Sequence, residues 1–172
     1  MRLYRAKIPT IAHEIINRLT ADGDIEVAHE NREEAEKDLV AIMEEYRRRD
    51  FELRERVRES MAIRRIPYTE YGKVRKRLSD EMDHPTGDDV ERFLARQFAE
   101  NMMISRFIDE VYEEDAVIYK KLLESLKSHD VDENEIREEA RTKVKNVREG
   151  TVDFEIALQQ AMKDVRKRRG LI

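Results

Sequence analysis

Apolar residues recur three and four positions apart along most of the chain, which is the spacing that lines one face of an α-helix. The longest such stretch runs from Arg32 to Ala62, where charged residues fill the positions between the apolar ones. Other stretches of the same kind precede and follow it, separated by turn-forming residues. The pattern predicts an all-α protein of seven to eight helices packed as a helical bundle.

Turn-forming and capping residues set the expected ends of the first helices. Pro9 suits a first helical turn because its φ is fixed and it lacks an N–H, and the turn at 22–24 contains a glycine that tolerates positive φ. We expect a short extended contact around Ile25 and then the long helix, with Asn31 as its N-cap. The apolar stripe of that helix shifts between Arg47 and Asp50, so a bend or break is predicted there.

Two segments about eighty residues apart resemble each other in sequence. Leu53–Met61 reads LRERVRESM and Ile136–Val144 reads IREEARTKV. Three charged residues occupy matching positions in the two segments. They are Arg54, Glu55 and Arg58 in the first segment and Arg137, Glu138 and Arg141 in the second. A Glu-Val link also precedes a charged helix twice, at 26–27 and at 110–111. Because these features recur in the same order, we predict an internal duplication; a shared helical bias is the alternative.

The clearest boundary in the chain is the segment from Asp83 to Asp89, which combines Pro, Gly and three acidic residues. It separates an N-terminal helical half, 1–84, from a C-terminal helical half, 85–172, and we predict that these tandem, related halves pack on one another. A chain of 172 residues is long enough for one domain or for two small ones. The sequence leaves open whether the halves fold independently or share one core.

A polar segment at 128–135 predicts a loop in the second half. Within it, Asp130, Asp132 and Asn134 have the spacing of the first ligands of a calcium loop, but the glycine and the bidentate glutamate that such a loop also needs are missing. Asp132 is instead typical of a helix start, because an acidic residue follows three positions later. We expect that helix to run to Val147 and predict no calcium site.

Composition narrows the classes of function. Charged residues make up 42% of the chain and Trp and Cys are absent, which favours helices with wide solvated faces and excludes disulfides and thiolate chemistry. No uncharged apolar run approaches the roughly 18 residues of a membrane span, and the opening has no signal peptide, so a cytoplasmic protein without a membrane partner is expected. A net charge of −5 argues against bulk attraction to nucleic acid.

Two pairs of residues have the spacing of metal ligands. Glu26 and His29, and again Glu81 and His84, follow the Glu-x-x-His pattern of di-iron helical bundles. Such a site needs two more glutamates on other helices, and neither pair lies clearly on a helical face. We interpret the histidines as solvated helix-end residues and predict no metal, no cofactor and no catalytic residue; a helical-bundle metal-dependent enzyme is the last of the alternatives.

Each predicted half closes on a basic helix. Such a helix neutralises the phosphates of a nucleic acid where one is present, but cations also stabilise helix C-termini without any partner. No aromatic residue is interleaved with either basic run, which argues against stacking on single strands. The candidate nucleic-acid contacts are Lys73, Arg75, Lys76, Arg77, Arg166, Lys167, Arg168 and Arg169.

Charged helices throughout, without a convergent polar cluster, favour a non-enzymatic binding or adaptor protein. Its expected partner is another protein or a second copy of the chain. The apolar positions that would serve such a contact are Tyr68, Tyr71, Phe107 and Tyr112, although their spacing also suits them to the core. The alternative is a nucleic-acid- or ribosome-associated factor that uses the basic helices.

Three segments carry a family resemblance: the opening RLYRAKIPTIAHEIINRLTADGDIEV, the RLSDEM segment before the boundary, and the ending EGTVDFEIALQQAMKDVRKRRGL. Together they resemble the bacterial family of unknown function numbered 507 among the domains of unknown function. The resemblance covers essentially the full length. It implies a soluble bacterial protein, and it transfers no catalytic residue because the family has no assigned activity.

Overall fold

The computed structural model describes residues 1–145 and 147–172 and is 73% helical. Its helices are α1 (Ile8–Asp22), α2 (Arg32–Arg64), α3 (Tyr71–Glu81), α4 (Asp89–Ile104), α5 (Asp115–Ser128), α6 (Glu133–Arg141) and α7 (Val152–Arg168). The predicted all-α class is confirmed. The predicted count of seven to eight helices is not confirmed, because seven is reached only when the nine-residue α6 is counted. None of the described helices has the length and apolar character needed to cross a membrane.

Two strands of two residues each, β1 (Ile25–Glu26) and β2 (Glu110–Val111), pair in antiparallel orientation. In their register Ile25 lies opposite Val111, and Glu26 lies opposite Glu110. The extended contact expected around Ile25 is therefore present. It joins a segment of the first half to a segment of the second.

Local chemistry sets the ends of α1 close to where the sequence predicts them. Pro9 lies in the first turn, and Gly23 ends the helix with a φ of 78°, a left-handed conformation that costs glycine little. Asn31 occupies the N-cap position of α2, although its side chain makes no capping hydrogen bond. The bend predicted between Arg47 and Asp50 is wrong, because α2 is one uninterrupted helix of 33 residues.

The apolar stripe of α2 shifts because the helix changes neighbours. Leu39 and Met43 pack in the main core of the protein, whereas Leu53 and Val57 pack against α3. No Pro or Gly lies within α2 to break the helix. A shifted stripe in a helix without such residues therefore indicates a change of packing partner.

The main core is one contiguous cluster of buried apolar side chains from α1, α2, α4 and α5. It contains residues from both sides of the Asp83–Asp89 segment, so both predicted halves contribute to it. Its largest fully buried members include Ile11, Ile15, Leu39, Leu94, Phe98 and Leu122. Burying one such side chain contributes roughly 1.5–3 kcal/mol, so each half depends on the apolar face of the other.

Two smaller clusters lie outside the main core. One holds the C-terminal part of α2 against α3 through Leu53, Val57 and Val74, and we call this hairpin, residues 53–82, the arm. The other joins α6 to α7 and includes Tyr4 from residues 1–7, which precede α1 and which we call the N-terminal segment. The cluster in the arm is the smaller of the two, because only three apolar side chains of the arm are buried and its other apolar residues are partly or fully exposed.

The loop predicted at 128–135 is present between α5 and α6. Asp132 caps α6 by accepting a hydrogen bond from the backbone N–H of Asn134 at 2.8 Å, as its sequence context predicts. The helix is shorter than expected, since α6 ends at Arg141 instead of reaching Val147. Residue 146, within the predicted extension, lies outside the described part of the chain.

We expect the fragments 1–84 and 85–172, produced separately, to unfold without a cooperative thermal transition, because each lacks the other's contribution to the main core. Circular dichroism during heating measures the transition, with the full chain as the reference. Mixing the two fragments is expected to restore it. A cooperative transition in either fragment alone would mean that the halves are independent domains.

Candidate functional site

The basic residues predicted on α3 fall into two groups. Three of them form exposed ion pairs with nearby carboxylates, namely Lys73 with Glu70, Lys76 with Asp80, and Arg77 with Glu81. Arg75 differs, because its guanidinium crosses to α2 and donates to Asp50 Oδ1 at 2.9 Å. Arg75 therefore takes part in a tertiary contact, while its three neighbours remain on the solvated face of α3.

The basic residues predicted on α7 hold that helix to α6 and to the N-terminal segment. Arg166 is buried and donates to the Tyr4 hydroxyl at 3.1 Å and to the Glu133 carboxylate. Two more pair across to α6, namely Arg168 and Arg169, both with Glu139. Among the described residues, Lys167 has no carboxylate partner. Nucleic-acid binding by this run stays a prediction, and it would require phosphates to replace these carboxylates.

Arg75 is brought together with arginines that were not among the predicted site residues. They line a cleft of about 690 Å³ between the N-terminal segment and α2, at the base of the arm. We call it the arginine cleft, and its basic side chains are Arg2, Arg5, Arg47, Arg54 and Arg75. Asp50 is the one acidic side chain among the described residues that line it. The other seven predicted basic residues are not among its lining residues.

Asp50 holds the arginine cleft together. Its Oδ2 lies 3.1 Å from Arg54 Nη2, and its Oδ1 accepts from Arg75 at 2.9 Å, with only 20% of the Asp50 side chain exposed. Arg54 is one turn further along α2 and Arg75 is on α3. One carboxylate therefore ties the two helices of the arm together through charge-assisted contacts, which are stronger than neutral hydrogen bonds.

Two buried rings lie behind Asp50. The rings of Tyr46 and His84 stack with their centroids 4.8 Å apart, and the Tyr46 hydroxyl donates to the Pro85 carbonyl at 3.1 Å. His84 Nε2 lies 3.7 Å from Asp50 Oδ1, and neither ring nitrogen has a hydrogen-bond partner within the described residues. The interpretation of His84 as a solvated helix-end residue is wrong, because packing against Tyr46 buries it.

Burial and charge act in opposite directions on Asp50. Burial raises its pKa, whereas the nearby His84 ring and the guanidinium groups of Arg54 and Arg75 lower it more strongly, so that the pKa lies below the usual 3.8. Burial also raises the pKa of the Tyr46 hydroxyl. At neutral pH Asp50 is therefore ionised and Tyr46 is neutral.

The metal-type spacings do not converge in the structure. Glu26 lies in β1 and His29 in the short 3₁₀ turn that precedes α2, while Glu81 ends α3 and His84 is buried against Tyr46. Within residues 1–145 and 147–172, no group of three or more His, Asp or Glu is arranged to hold a metal ion. The arginine cleft is a different kind of site, because its side chains are suited to bind negative charge.

Sequence reasoning found Arg75 but missed most of the arginine cleft. Asp50 and Arg54 did give a signal, because they are four residues apart where the apolar stripe of α2 shifts, and polar residues there lie between two packing surfaces. Arg2 gave none. Its carboxylate partner, Glu133, is 3.6 Å away in space but more than a hundred residues away in sequence.

A family model described as "Protein of unknown function (DUF507)" matches residues 1–171. The match spans essentially the whole chain and confirms the resemblance found in the opening, boundary and closing segments. None of the curated proteins matches the chain. The description of the family names no activity, so the function is argued from the surface and the cleft.

We expect Asp50→Asn to lower the free energy of unfolding by about 1–3 kcal/mol at neutral pH, because Arg54 and Arg75 lose the carboxylate that they share. The pKa of Asp50 is lower in the folded than in the unfolded protein, so its contribution is complete above 3.8 and is lost as the pH falls through the folded-state pKa. The difference between wild type and variant should therefore shrink in acid. Urea unfolding at a series of pH values measures it.

Asp80→Asn is the matched control on α3. Asp80 is exposed and forms an i, i+4 pair with Lys76, and such pairs contribute little, so we expect a change within about 0.5 kcal/mol. Equal free energies of unfolding for wild type and Asp50→Asn at neutral pH would contradict the role given to Asp50.

Proposed function

The chain belongs to the DUF507 family, and we propose that it is a non-enzymatic helical binding protein that engages a partner protein through the tip of its arm. The observation that carries this proposal is a pair of strongly exposed apolar side chains on either side of the turn from α2 to α3. Ile63 is 75% exposed and Tyr68 is 80% exposed. Large apolar side chains that are exposed next to one another are typical of protein interaction sites.

The aromatic part of the tip is a tyrosine pair. The rings of Tyr68 and Tyr71 lie 5.5 Å apart, with Tyr71 half-buried against the arm. Tyrosine contributes strongly to protein interfaces because it buries a large ring while keeping a polar hydroxyl. Of the other positions expected to serve a partner, Phe107 packs against the main core, and Tyr112 is exposed and donates to the Glu26 carboxylate. Of the four apolar positions expected to contact a partner, two, Tyr68 and Tyr71, therefore lie together at the tip.

The charge of the arm supports a partner with an acidic surface. Residues 53–82 contain nine basic and five acidic residues, a net charge of +4 in a chain of −5. Arg64 and Arg65 flank the apolar tip, are exposed, and form no ion pair with the described residues. Complementary charge accelerates association and selects partners. An acidic rim around an apolar pocket would complement this tip.

The connection of the arm to the main core supports a role in holding the tip in position for a partner protein. A helix of 33 residues is about 50 Å long, and α2 runs unbroken from the main core to the tip. Because the backbone is continuous, the tip is held in a fixed orientation, which lowers the entropy that binding costs. The small core of Leu53, Val57 and Val74 keeps α3 against this support.

We also propose that the two halves arose by internal duplication. The order α1, β1, α2, α3 corresponds to α4, β2, α5, α6, α7 when α2 is matched to α5 and α6 together. In this alignment Glu26 corresponds to Glu110, and these two residues lie opposite each other in the antiparallel pair, as a two-fold axis would place them. The copies differ where the loop after Ser128 breaks the second copy, so only the first copy extends as an arm.

A second candidate function is that of a nucleic-acid- or ribosome-associated factor. Lys73, Lys76 and Arg77 lie on the solvated face of α3, in the same arm as the tyrosine pair, and a cationic arm attracts phosphates. The protein-binding proposal is preferred because these cations are already paired with carboxylates, whereas the exposed group at the tip is apolar.

We expect Ile63→Ser combined with Tyr68→Ser to reduce capture of the partner protein at least about tenfold, because interface hot spots contribute about 2 kcal/mol or more each. The measurement is quantitative affinity capture from a nuclease-treated lysate of the native organism, compared with wild type. Val152→Ser combined with Ile156→Ser is the matched control, because these residues are an equally exposed apolar pair on α7. Full capture by the tip variant, or loss with the control variant alone, would refute the proposal.

Nuclease treatment separates the two candidate functions. On the preferred proposal, the captured protein persists after nuclease treatment. On the second candidate, capture is lost with nuclease, and charge reversal abolishes it without changing helical content when made at Lys73, Lys76, Arg77 and Lys167. A capture that disappears with nuclease would replace the protein-binding proposal by the second one.

A further inference from the structure

We propose that the arginine cleft binds a small phosphate-bearing ligand, either free phosphate or a phosphomonoester. This site lies at the base of the arm and is separate from the apolar tip. The proposal is independent of the partner protein, and it rests on the geometry and the charge of the cleft.

Positive and negative charges are not balanced at the arginine cleft. Six arginines meet at the cleft and just behind it, namely Arg2, Arg5, Arg47, Arg54, Arg75 and Arg166. The carboxylates that pair with them are Asp50, Glu44 and Glu133. Each of these carboxylates is shared by two arginines, which leaves a net charge of +3. A cluster of like charges that is only half neutralised is stabilised by an added anion.

The shared carboxylates bind some of these arginines only weakly. Arg5 Nε and Arg47 Nη1 lie 3.8 and 2.9 Å from Glu44, and Arg2 Nη1 lies 3.6 Å from Glu133. Distances above 3.5 Å are ion pairs without a good hydrogen bond. Arg2 and Arg5 therefore retain most of their donor capacity for a ligand.

The guanidinium groups of the cleft are crowded together. Burial lowers the pKa of Arg2, and the charges of Arg166 and Arg54 lower it further, while Glu133 acts in the opposite direction. Asp50 also raises it, so the repulsion of Arg2 by two other guanidinium groups is partly offset by two carboxylates. An anion bound among the guanidinium groups would reduce this repulsion further and would add to the attraction expected from the net charge of the cleft.

The shape and the chemistry of the cleft match a phosphate ester. A planar guanidinium presents a fork of donors that fits two oxygens of a phosphate, and Arg75 uses only Nη2 toward Asp50. A volume of about 690 Å³ exceeds what phosphate alone needs and suits a small organic molecule. Leu3 and Val90 in the lining supply an apolar wall for the organic part of an ester.

The test is calorimetric titration of the untagged full chain with inorganic phosphate and with glycerol 3-phosphate, at constant ionic strength set by chloride. We expect a Kd below about 1 mM for at least one of them. Tighter binding of the ester assigns a phosphomonoester as the ligand, and equal or tighter binding of inorganic phosphate assigns free phosphate. No heat of binding for either probe, together with an unchanged Tm, would overturn the proposal.

Variants locate the binding. Arg2→Gln is expected to weaken binding at least about tenfold, because charge-assisted contacts are the strong ones, and the fold should survive because Glu133 retains Arg166 as its partner. Arg75→Gln should weaken binding similarly. If Arg75→Gln does not fold, the result with Arg2→Gln alone tests whether the ligand binds in the cleft. Arg58→Gln is the matched control, one turn beyond Arg54 on α2, exposed and outside the cleft.

Two results would contradict the assignment to the arginine cleft. One is that Arg2→Gln binds phosphate as tightly as wild type. The other is that a short single-stranded oligonucleotide binds far more tightly than either probe and loses affinity in the same variants, which would assign the cleft to a nucleic acid instead of a small ligand. Equal weakening by Arg58→Gln would mean that only the general positive charge of the arm attracts the anion, and this also overturns the proposal.

Discussion

The helix α2 must pack against two different partners, and the rest of the structure depends on how it does so. Its first part buries Leu39 and Met43 in the main core, and its last part buries Leu53 and Val57 against α3. The two contacts follow one another along nearly the same side of one unbroken helix, because Leu39 and Leu53 are fourteen residues, or about four turns, apart. Between them the side of α2 that faces the protein becomes polar, and Asp50 lies there with two arginines on its carboxylate. This contact fixes α3 to α2 at the point where the arm leaves the core.

Charge has two separate roles in this protein. Most exposed ion pairs lie three or four residues apart on single helices, where each contributes little to stability. The pairs that matter for the tertiary structure join distant segments, as Arg166 does when it contacts both Tyr4 and Glu133. What remains after pairing is an uneven distribution, with a surplus of cations on the arm and in the arginine cleft. Both proposals draw on that surplus, since an acidic partner and a phosphate group are recognised by the same kind of side chain.

The two proposed sites lie on the same structural element but differ in what they use. The tip presents apolar and aromatic surface, whereas the cleft presents guanidinium groups around a partly buried carboxylate. Thirteen residues of helix separate Asp50 from Ile63, a rise of about 20 Å. A small ligand in the cleft therefore contacts the N-terminal segment, α2 and α3 without reaching the tip, and the two sites are tested by variants that do not overlap.

The sequence by itself determined the features that depend on neighbouring residues. The helical spacing of apolar residues, Pro9 and Gly23 at the ends of α1, and the capping of α6 by Asp132 all follow from local sterics and local hydrogen bonds, and the family follows from the segments that resemble it. The tertiary structure alone decided the features that depend on distant residues. The continuity of α2, the burial of His84, and the meeting of Arg2, Asp50 and Arg75 were not predicted. A shift of the apolar stripe looks the same in the sequence whether the helix breaks or changes its packing partner. Charged residues far apart along the chain carry no local signal of their contact, because only packing brings them together.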